Sequence, residues 1–328
     1  MNKLNSKASK AFSLIELSIV ILIIGIIVAG ITQSSRLVTQ SKLKSAQNLT
    51  SSSPVAGIKS VALWLEPTLD ASFPSSLDDG AFITQWNDTN PQTPSKLFAI
   101  PASGVTTSGA AAIKYENDGI NGLPSIKFDG TLANTGILSI STSSTSLTQT
   151  PVITSGDVGS ANAFTAFMVY DLDNSTSTVD YTVLYNGTFN SDGWGYFRES
   201  SSPFKRTFRF GATTPKFITS AALPSIKEIA TITYSGSTTK IANMYTNGGS
   251  NFATIPDNTV SSNGNNAQST LVTLATPTGG MYIGGGTSAT KTWKGLISEV
   301  IIFDGILKNQ DLKDVASYLS KKYGISLQ

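Results

Sequence analysis

Cysteine and histidine are both absent from this chain of 328 residues. Without cysteine, a secreted domain forms no disulfides and depends on its packed core for stability. Without cysteine and histidine, Ser-His-Asp catalysis, Cys-His catalysis and the usual zinc sites are excluded. Carboxylate, lysine, tyrosine and calcium-type chemistry are the classes that remain.

Charge is also scarce, because Asp, Glu, Lys and Arg make up only 13% of the residues and the formal net charge is +2. Lys3, Lys7 and Lys10 lie in the first eleven residues, so the rest of the chain is close to neutral. A near-neutral body lacks the basic surface that nucleic acids require, and we expect no nucleic-acid partner. The abundance of Ser, Thr, Asn and Gly favours an extracellular, β-rich domain.

One long apolar run is present, from Phe12 to Ile31. It has the length of about 20 residues that a helix needs to cross a bilayer core. The lysines that precede it predict that residues 1–11 stay in the cytoplasm. Glu16 lies inside the run, where a charge costs about 2.5–3.5 kcal/mol on insertion scales. Such a residue normally has a partner that compensates its charge.

Two simpler interpretations compete for this segment: a secretory signal peptide cleaved after Gly30, or an uncleaved signal anchor. Neither explains Glu16. Neither requires a helix to continue beyond the membrane, yet residues 32–50 contain no proline or glycine and the first proline is Pro54. The sequence therefore predicts one helix over residues 12–50.

The sequence Lys-Ala-Phe-Ser-Leu-Ile-Glu-Leu at residues 10–17 resembles the processing site of type IV pilins and of the pseudopilins of type II secretion. The resemblance implies that a prepilin peptidase cleaves between Ala11 and Phe12 and that Phe12 is then N-methylated. Ala11 differs from the glycine usual in the family. Gly25 matches a glycine common in these helices, and Gln33 stands where many members have a helix-kinking proline.

The same resemblance makes Glu16 the fifth residue of the processed chain, where the family carries its glutamate. Cleavage would expose an ammonium group on Phe12, which can pair with Glu16 of an adjacent subunit. A paired buried charge fixes register more than it adds stability, so Glu16 is predicted to direct assembly. The alternative is a glutamate on the helix surface that faces lipid headgroups. Gly25 and Ala29 also form a small-xxx-small pair, which permits close helix packing.

The remaining chain is predicted to contain a linker at 51–60 and a β-sandwich at 61–328. Short alternating segments between turn signals indicate a sandwich or jelly roll, with long loops at 139–160 and 247–280. A helix is predicted at 308–323, capped by Gly324. The predicted strands are 125–129, 164–170, 181–185, 207–210, 228–234, 281–283 and 295–304, the last with Leu296, Val300 and Ile302 on one side.

Several of these segments resemble the concanavalin A-like, laminin-G-type jelly roll of bacterial surface proteins. The matching pieces include Asn121-Gly-Leu-Pro-Ser-Ile-Lys-Phe-Asp-Gly130 and Trp293-Lys-Gly-Leu-Ile-Ser-Glu-Val-Ile-Ile-Phe-Asp304. The predicted fold class is therefore a long N-terminal α-helix, for the membrane and the filament core. An all-β concanavalin A-like jelly-roll sandwich with a short C-terminal helix follows it.

Enzymes of this fold that cleave β-glucans carry closely spaced carboxylates on one strand. The nearest candidates, Glu299 and Asp304, are five residues apart on a predicted strand and therefore point to opposite faces about 17 Å apart. We expect no catalysis, and we expect Glu299 to form a salt bridge or to end a loop.

Binding sites are predicted on two groups of residues. Oxygen ligands of the type that calcium prefers occur at Asp171, Asp173 and Asp192, beside Asn174 and Asn190, so calcium is the one cofactor considered. Aromatic faces for a glycan are predicted at Trp194, Tyr196 and Phe197. The alternative for Trp194 and Tyr196 is that they fill the sandwich core.

The sequence thus predicts a type IV pilin-like subunit, of a minor type, with a head for adhesion or for binding carbohydrate or another partner. Its expected partners are other pilin or pseudopilin subunits, the prepilin peptidase/methyltransferase and the inner membrane before assembly. Its expected final location is a surface pilus or a periplasmic pseudopilus. A type II secretion pseudopilin and a membrane-tethered glycan enzyme are the alternative functions.

Overall fold

The computed structural model divides into two units between Lys44 and Ser45. It describes residues 14–102, 113–130, 136–144, 148, 150–152, 163–173, 181–188, 191–198, 206–210, 216–220, 227–236, 241–248, 261–263, 266–269, 277, 279–286 and 292–327. The predicted leader, residues 1–11, lies outside the described residues.

The first helix, α1, spans Leu14–Ser51 and confirms the predicted long helix. No proline interrupts it until Pro54, which begins a 3-10 turn at Pro54–Gly57. Because proline disfavours the helical conformation of the residue before it, the chain leaves α1 at this point.

The head unit includes the last turns of α1, since it begins at Ser45. Ala46 and Thr50 are buried, and Val55 in the 3-10 turn is fully buried. The head therefore begins before residue 61, and the segment predicted as a linker contains a packed turn.

Seventeen strands in the described residues form two antiparallel sheets, which confirms the predicted all-β sandwich. The first sheet has the order β14-β15-β13-β12-β7-β17-β5-β4 with β1 also paired to β17, and the second has the order β11-β10-β9-β8-β16-β6-β3-β2. The strands are β1 Val61–Leu65, β2 Trp86–Asn87, β3 Phe98–Pro101, β4 Lys114–Glu116, β5 Ser125–Asp129, β6 Leu138–Ser141, β7 Phe164–Leu172, β8 Tyr181–Asn186, β9 Trp194–Arg198, β10 Arg206–Phe210, β11 Lys216–Ser220, β12 Lys227–Tyr234, β13 Ala242–Thr246, β14 Ser261–Asn263, β15 Asn266–Ser269, β16 Met281–Ile283 and β17 Lys294–Asp304.

The central strand β17 carries a bulge between Ile297 and Glu299 where it pairs with β7. The extra residue reverses the alternation of side chains. Ile297, Val300 and Ile302 consequently belong to the core between the sheets, whereas Leu296 packs on the outer cluster. The prediction that Leu296 shares a face with Val300 and Ile302 was wrong for this reason.

The C-terminal helix, α2, spans Asn309–Tyr323 and ends at Gly324, whose backbone is left-handed with a φ of 61°. This confirms the predicted helix and its cap. The apolar face of α2 packs on the outer face of the first sheet, where Val315 and Leu319 belong to the same cluster as Ile301 and Phe303.

The segments predicted as long loops contain strands. β6 overlaps the first three residues of the first of them, and β14 and β15 fall in the second. These strands are short and rich in Ser, Asn and Gln, so their composition resembles that of loops, and pairing with neighbouring strands fixes their structure.

Candidate functional site

The first half of α1 presents its apolar side chains to the outside. Leu14 is 87% exposed and Ile31 is 64% exposed. This is the one helix among the described residues that is long and apolar enough to cross a membrane. Such an exposed apolar surface is stable only against lipid or other helices.

Glu16 lies on this exposed surface and is the only charged residue from position 11 to position 35. Ala11 and Phe12, the predicted cleavage and methylation residues, lie outside the described residues. A Cβ added at Gly25 would meet nothing within 4 Å. The surface at Gly25 is therefore open to the close approach of another helix, and its packing role stays a prediction.

The aromatic residues predicted to contact a glycan are buried. Trp194 and Tyr196 are fully buried members of the core between the sheets, and Phe197 is 4% exposed. Trp194 stacks on Phe164 with ring centroids 4.2 Å apart. The glycan prediction for these three residues is corrected, because none offers an open ring face to a ligand. Core packing, the alternative for Trp194 and Tyr196, is what the structure shows.

The calcium candidates do not form one group. Asp192 accepts a hydrogen bond of 2.6 Å from the backbone N–H of Thr188 and so holds the turn between β8 and β9. Asp171 and Asp173 lie at the end of β7, next to Lys227 and Lys294. No cluster of three or more His, Cys, Asp or Glu suited to a metal occurs in the described part of the chain. Asn174 and Asn190 lie outside that part.

Glu299 forms a salt bridge, as the sequence predicted, and does not converge with Asp304 on an open site. Its carboxylate lies 2.9 Å from Lys322 Nζ, which is also 2.9 Å from Glu66. All three side chains are buried, whereas Asp304 is exposed. Glu66 and Glu299 are thus two carboxylates that share one lysine in a site closed to substrate.

This buried cluster of Glu66, Glu299 and Lys322 fixes α2 to the sheet. Burial would raise the pKa of Glu66, but Lys322 and the hydroxyls of Thr68 and Ser72 outweigh burial and lower that pKa. Burial lowers the pKa of Lys322, and the two carboxylates outweigh it and raise that pKa well above its ordinary value. Glu66 and Lys322 are therefore both ionised at neutral pH.

A second buried charged cluster lies between the sheets. Arg206 binds Glu228 in a bidentate manner, with Nε 2.8 Å from one oxygen and a terminal nitrogen 2.6 Å from the other. Tyr170 donates a hydrogen bond of 2.5 Å to the same carboxylate. Arg198 lies 3.5 Å from it. Glu228 is the only charged residue of this cluster that lies in a strand predicted from the sequence, so the sequence pattern did not reveal the cluster.

The accessible candidate site is a basin of about 830 Å³ at one edge of the first sheet. Ligand sites typically enclose about 300–1,000 Å³. The loop between β1 and β2, the loop between β4 and β5, and the strands β4, β5, β7 and β17 supply its lining. The charged lining residues are Asp79, Lys114, Glu116, Asp118, Lys127, Asp129, Asp171, Asp173 and Lys294.

The carboxylates of the basin outnumber its lysines, six to three. Lys127 lies 2.8 Å from Glu116, and Lys294 lies 3.4 Å from Asp173. Burial raises the pKa of Asp171, the nearby Asp173 acts in the same direction, and Lys227 opposes them. The basin therefore has an excess of negative charge that a cationic group would stabilise. The sequence pointed to Asp171 and Asp173 but not to the others, since they come from distant strands.

Residues 6–32 match the family model described as the prokaryotic N-terminal methylation motif. This N-terminal segment is therefore pilin-like, and such a motif implies processing by prepilin peptidase and assembly with other pilins. No curated protein sequence matches the chain.

The head is similar to three solved structures at low identity. Domain 4 of AbnA, a GH43 extracellular arabinanase from Geobacillus stearothermophilus solved with arabinotriose, is 15% identical over 78% of this chain and 98% of that chain, with a TM-score of 0.39. The CBM40 of Ruminococcus gnavus IT-sialidase, bound to α2,3-sialyllactose, is 14% identical over 47% of this chain and 82% of that chain, with a TM-score of 0.34. A Trypanosoma rangeli sialidase mutant displaying trans-sialidase activity is 14% identical over 87% of this chain and only 38% of that chain, with a TM-score of 0.44. At these values the likeness assigns neither a ligand nor an activity.

Proposed function

We propose that this chain is a minor type IV pilin-like subunit that assembles through the first part of α1 and displays the sandwich as a non-enzymatic binding head. The observation that carries the proposal is the combination of the methylation motif with an exposed apolar segment of α1, residues 14–31, in which Glu16 is the sole charge. The chain of 328 residues is longer than a typical major pilin, which supports a minor subunit.

Assembly depends on Glu16 in this account. An ionised carboxylate in an apolar bundle is strongly destabilising unless a cation neutralises it. The amino group that cleavage exposes on Phe12 of an adjacent subunit would supply that cation. Each subunit would then be held at the register where the pair forms.

Incorporation into filaments tests this role. The control for Glu16→Ala is Ser18→Ala. Ser18 lies on the same helix, and its hydroxyl donates a hydrogen bond of 2.8 Å within that helix, to the Ile15 carbonyl. We expect Glu16→Ala to insert into the membrane normally, but its amount in sheared filaments should fall at least tenfold. The amount of Ser18→Ala in the filaments should not change. Equal incorporation of the two variants would contradict the proposal. Recovery from periplasmic filaments instead of surface filaments would favour the pseudopilin alternative.

The basin is the surface by which the head would bind. Its surplus carboxylates suit ammonium groups, and its lysines and carboxylates can hydrogen-bond hydroxyl groups. A glycan that carries free amino groups combines both features.

Calorimetry of the full-length protein in detergent tests this ligand class with chitosan oligosaccharides and with their N-acetylated, uncharged counterparts. We expect binding of the charged form only, and a loss of at least tenfold in affinity in Asp129→Asn/Asp171→Asn. The control is Asp311→Asn/Asp314→Asn on α2. Equal binding of both oligosaccharides, or equal losses in the two double variants, would contradict the assignment of the basin.

A further inference from the structure

A row of side chains crosses the first sheet along the basin. Lys114 of β4 lies directly opposite Lys127 of β5. Leu296 of β17 lies opposite Lys127, and Asp171 of β7 lies opposite Leu296. Directly opposed residues point to the same face of a sheet, and all four line the basin. At about 4.8 Å per strand, the backbones of Lys114 and Asp171 are about 14 Å apart.

Lys114 differs from the other two lysines of the basin in its surroundings. Lys127 and Lys294 each lie beside a carboxylate of the basin. Lys114 is half-buried and belongs to no ion pair within the part of the chain that the structure describes. Its ammonium group lies 5.6 Å from the centroid of the Phe82 ring. Contact with an aromatic face holds an ammonium group in place and leaves its hydrogen-bond donors for another partner.

The position of Lys114 does not stabilise the sheet. Like charges directly opposite each other on neighbouring strands are destabilising, and Lys114 faces Lys127. Glu116 compensates only one of these charges, since it lies 2.8 Å from Lys127. An anionic group beside Lys114 would compensate the other. The surplus carboxylates of the basin would still be open to the amino groups of the same ligand.

We propose that Lys114 is a specificity-determining residue of the basin and that it binds a carboxylate of the ligand. The preferred glycan then carries both free amino groups and carboxylates. The inference rests on the proposed function, in which the basin binds a glycan with free amino groups. In this arrangement the amino groups lie near Asp129 and Asp171, and the carboxylate of the ligand lies at the β4 edge of the basin.

Calorimetry of the full-length protein in detergent tests this preference with two probes of equal length. The first is a chitosan oligosaccharide, which carries ammonium groups only. The second is the same oligosaccharide after O-carboxymethylation, which carries ammonium and carboxylate groups. An ion pair at a partly exposed position contributes up to about a factor of five. We expect the natural protein to bind the carboxymethylated probe at least twofold more tightly than the unmodified one.

Lys114→Met removes the charge and keeps an apolar side chain beside Phe82. Its affinity for the carboxymethylated probe should fall at least twofold, because an attraction is lost. Its affinity for the unmodified probe should rise, because a repulsion is lost. A misfolded variant would lose affinity for both probes. Lys114→Arg keeps the charge and should keep the preference, and the control Lys313→Met, at an exposed position of α2, should leave both affinities unchanged.

The possible failures of the inference and of the proposed function are distinct. If the natural protein binds the unmodified probe and binds the carboxymethylated one no better, the role of Lys114 is overturned and the binding role of the basin stands. The role is also overturned if Lys114→Met binds each probe as the natural protein does. If the natural protein binds neither probe, the basin does not bind amino-group glycans and the inference fails with that assignment.

Discussion

Thr50 and Tyr318 share a buried hydrogen bond of 3.2 Å although 268 residues separate them along the chain. Tyr318 also donates a hydrogen bond of 2.8 Å to Glu299. The final turn of α1 is therefore joined to α2 and, through the buried cluster of Glu66, Glu299 and Lys322, to the first sheet. This network makes the end of the assembly helix an integral part of the head.

Lys322→Met should lower the free energy of unfolding of the head by about 3–5 kcal/mol, because it leaves two buried carboxylates without their cation. Denaturant unfolding measures the change. Lys321→Met is the control, since Lys321 is exposed and surface changes usually stay within about 0.5 kcal/mol. The triple variant with Glu66→Gln and Glu299→Gln should regain part of the loss. Equal stabilities of Lys322→Met and Lys321→Met would contradict the role of the cluster.

Lowering the pH should reduce the stability of the folded head, because Glu66 becomes protonated. Its pKa is lowered on folding from the ordinary value of 4.5. A carboxyl whose pKa is lowered on folding stabilises the fold fully above its unfolded pKa, and this stabilisation is lost as the pH falls through the folded value. Melting temperatures measured from about pH 7 to about pH 3 should therefore fall less steeply in Glu66→Gln than in the natural protein. Parallel slopes would show that Glu66 does not carry the effect.

Trp194→Ala should destabilise the head by about 3–5 kcal/mol, because it opens a cavity beside Phe164. The affinity of the folded fraction for the charged oligosaccharide should not change. Ile306→Ala is the control, since Ile306 is 49% exposed. A Trp194→Ala protein that is folded and stable but has lost its affinity for the glycan would contradict this account and support a role of Trp194 in glycan binding.

Gly25→Leu should reduce incorporation into filaments without reducing the helicity of α1. A Cβ at Gly25 or at Gly30 meets nothing within 4 Å in this chain, so Gly30→Leu is a matched control that raises helix propensity equally. A loss confined to Gly25→Leu, measured on sheared filaments, identifies close packing against another subunit. Equal behaviour of the two variants would show that Gly25 has no such role.

Both helices and seven of the seventeen strands could be predicted, because their signals are local. The apolar run fixes the first half of α1, and the spacing of Leu312, Val315, Ala316 and Leu319 fixes the buried face of α2. The reversed alternation in β17 could not be predicted, since a bulge depends on pairing with β7.

The sites were harder to predict because they join distant parts of the chain. Trp194 and Tyr196 are two positions apart on one strand, so they point to the same face of the sheet. The sequence does not show whether a second sheet covers that face. Glu66 and Lys322 are 256 residues apart, and the basin combines four strands. The resemblance at the N-terminus found Glu16 because that motif is contiguous in sequence.

The mass of the native N-terminus tests the central claim most directly. Filaments or membranes containing the protein are digested, and the N-terminal peptide is sequenced by mass spectrometry. A chain that begins at N-methylated Phe12 is the predicted result. A chain that retains residues 1–11, or one that begins at Ile31 after signal-peptide cleavage, would contradict assembly as a pilin-like subunit.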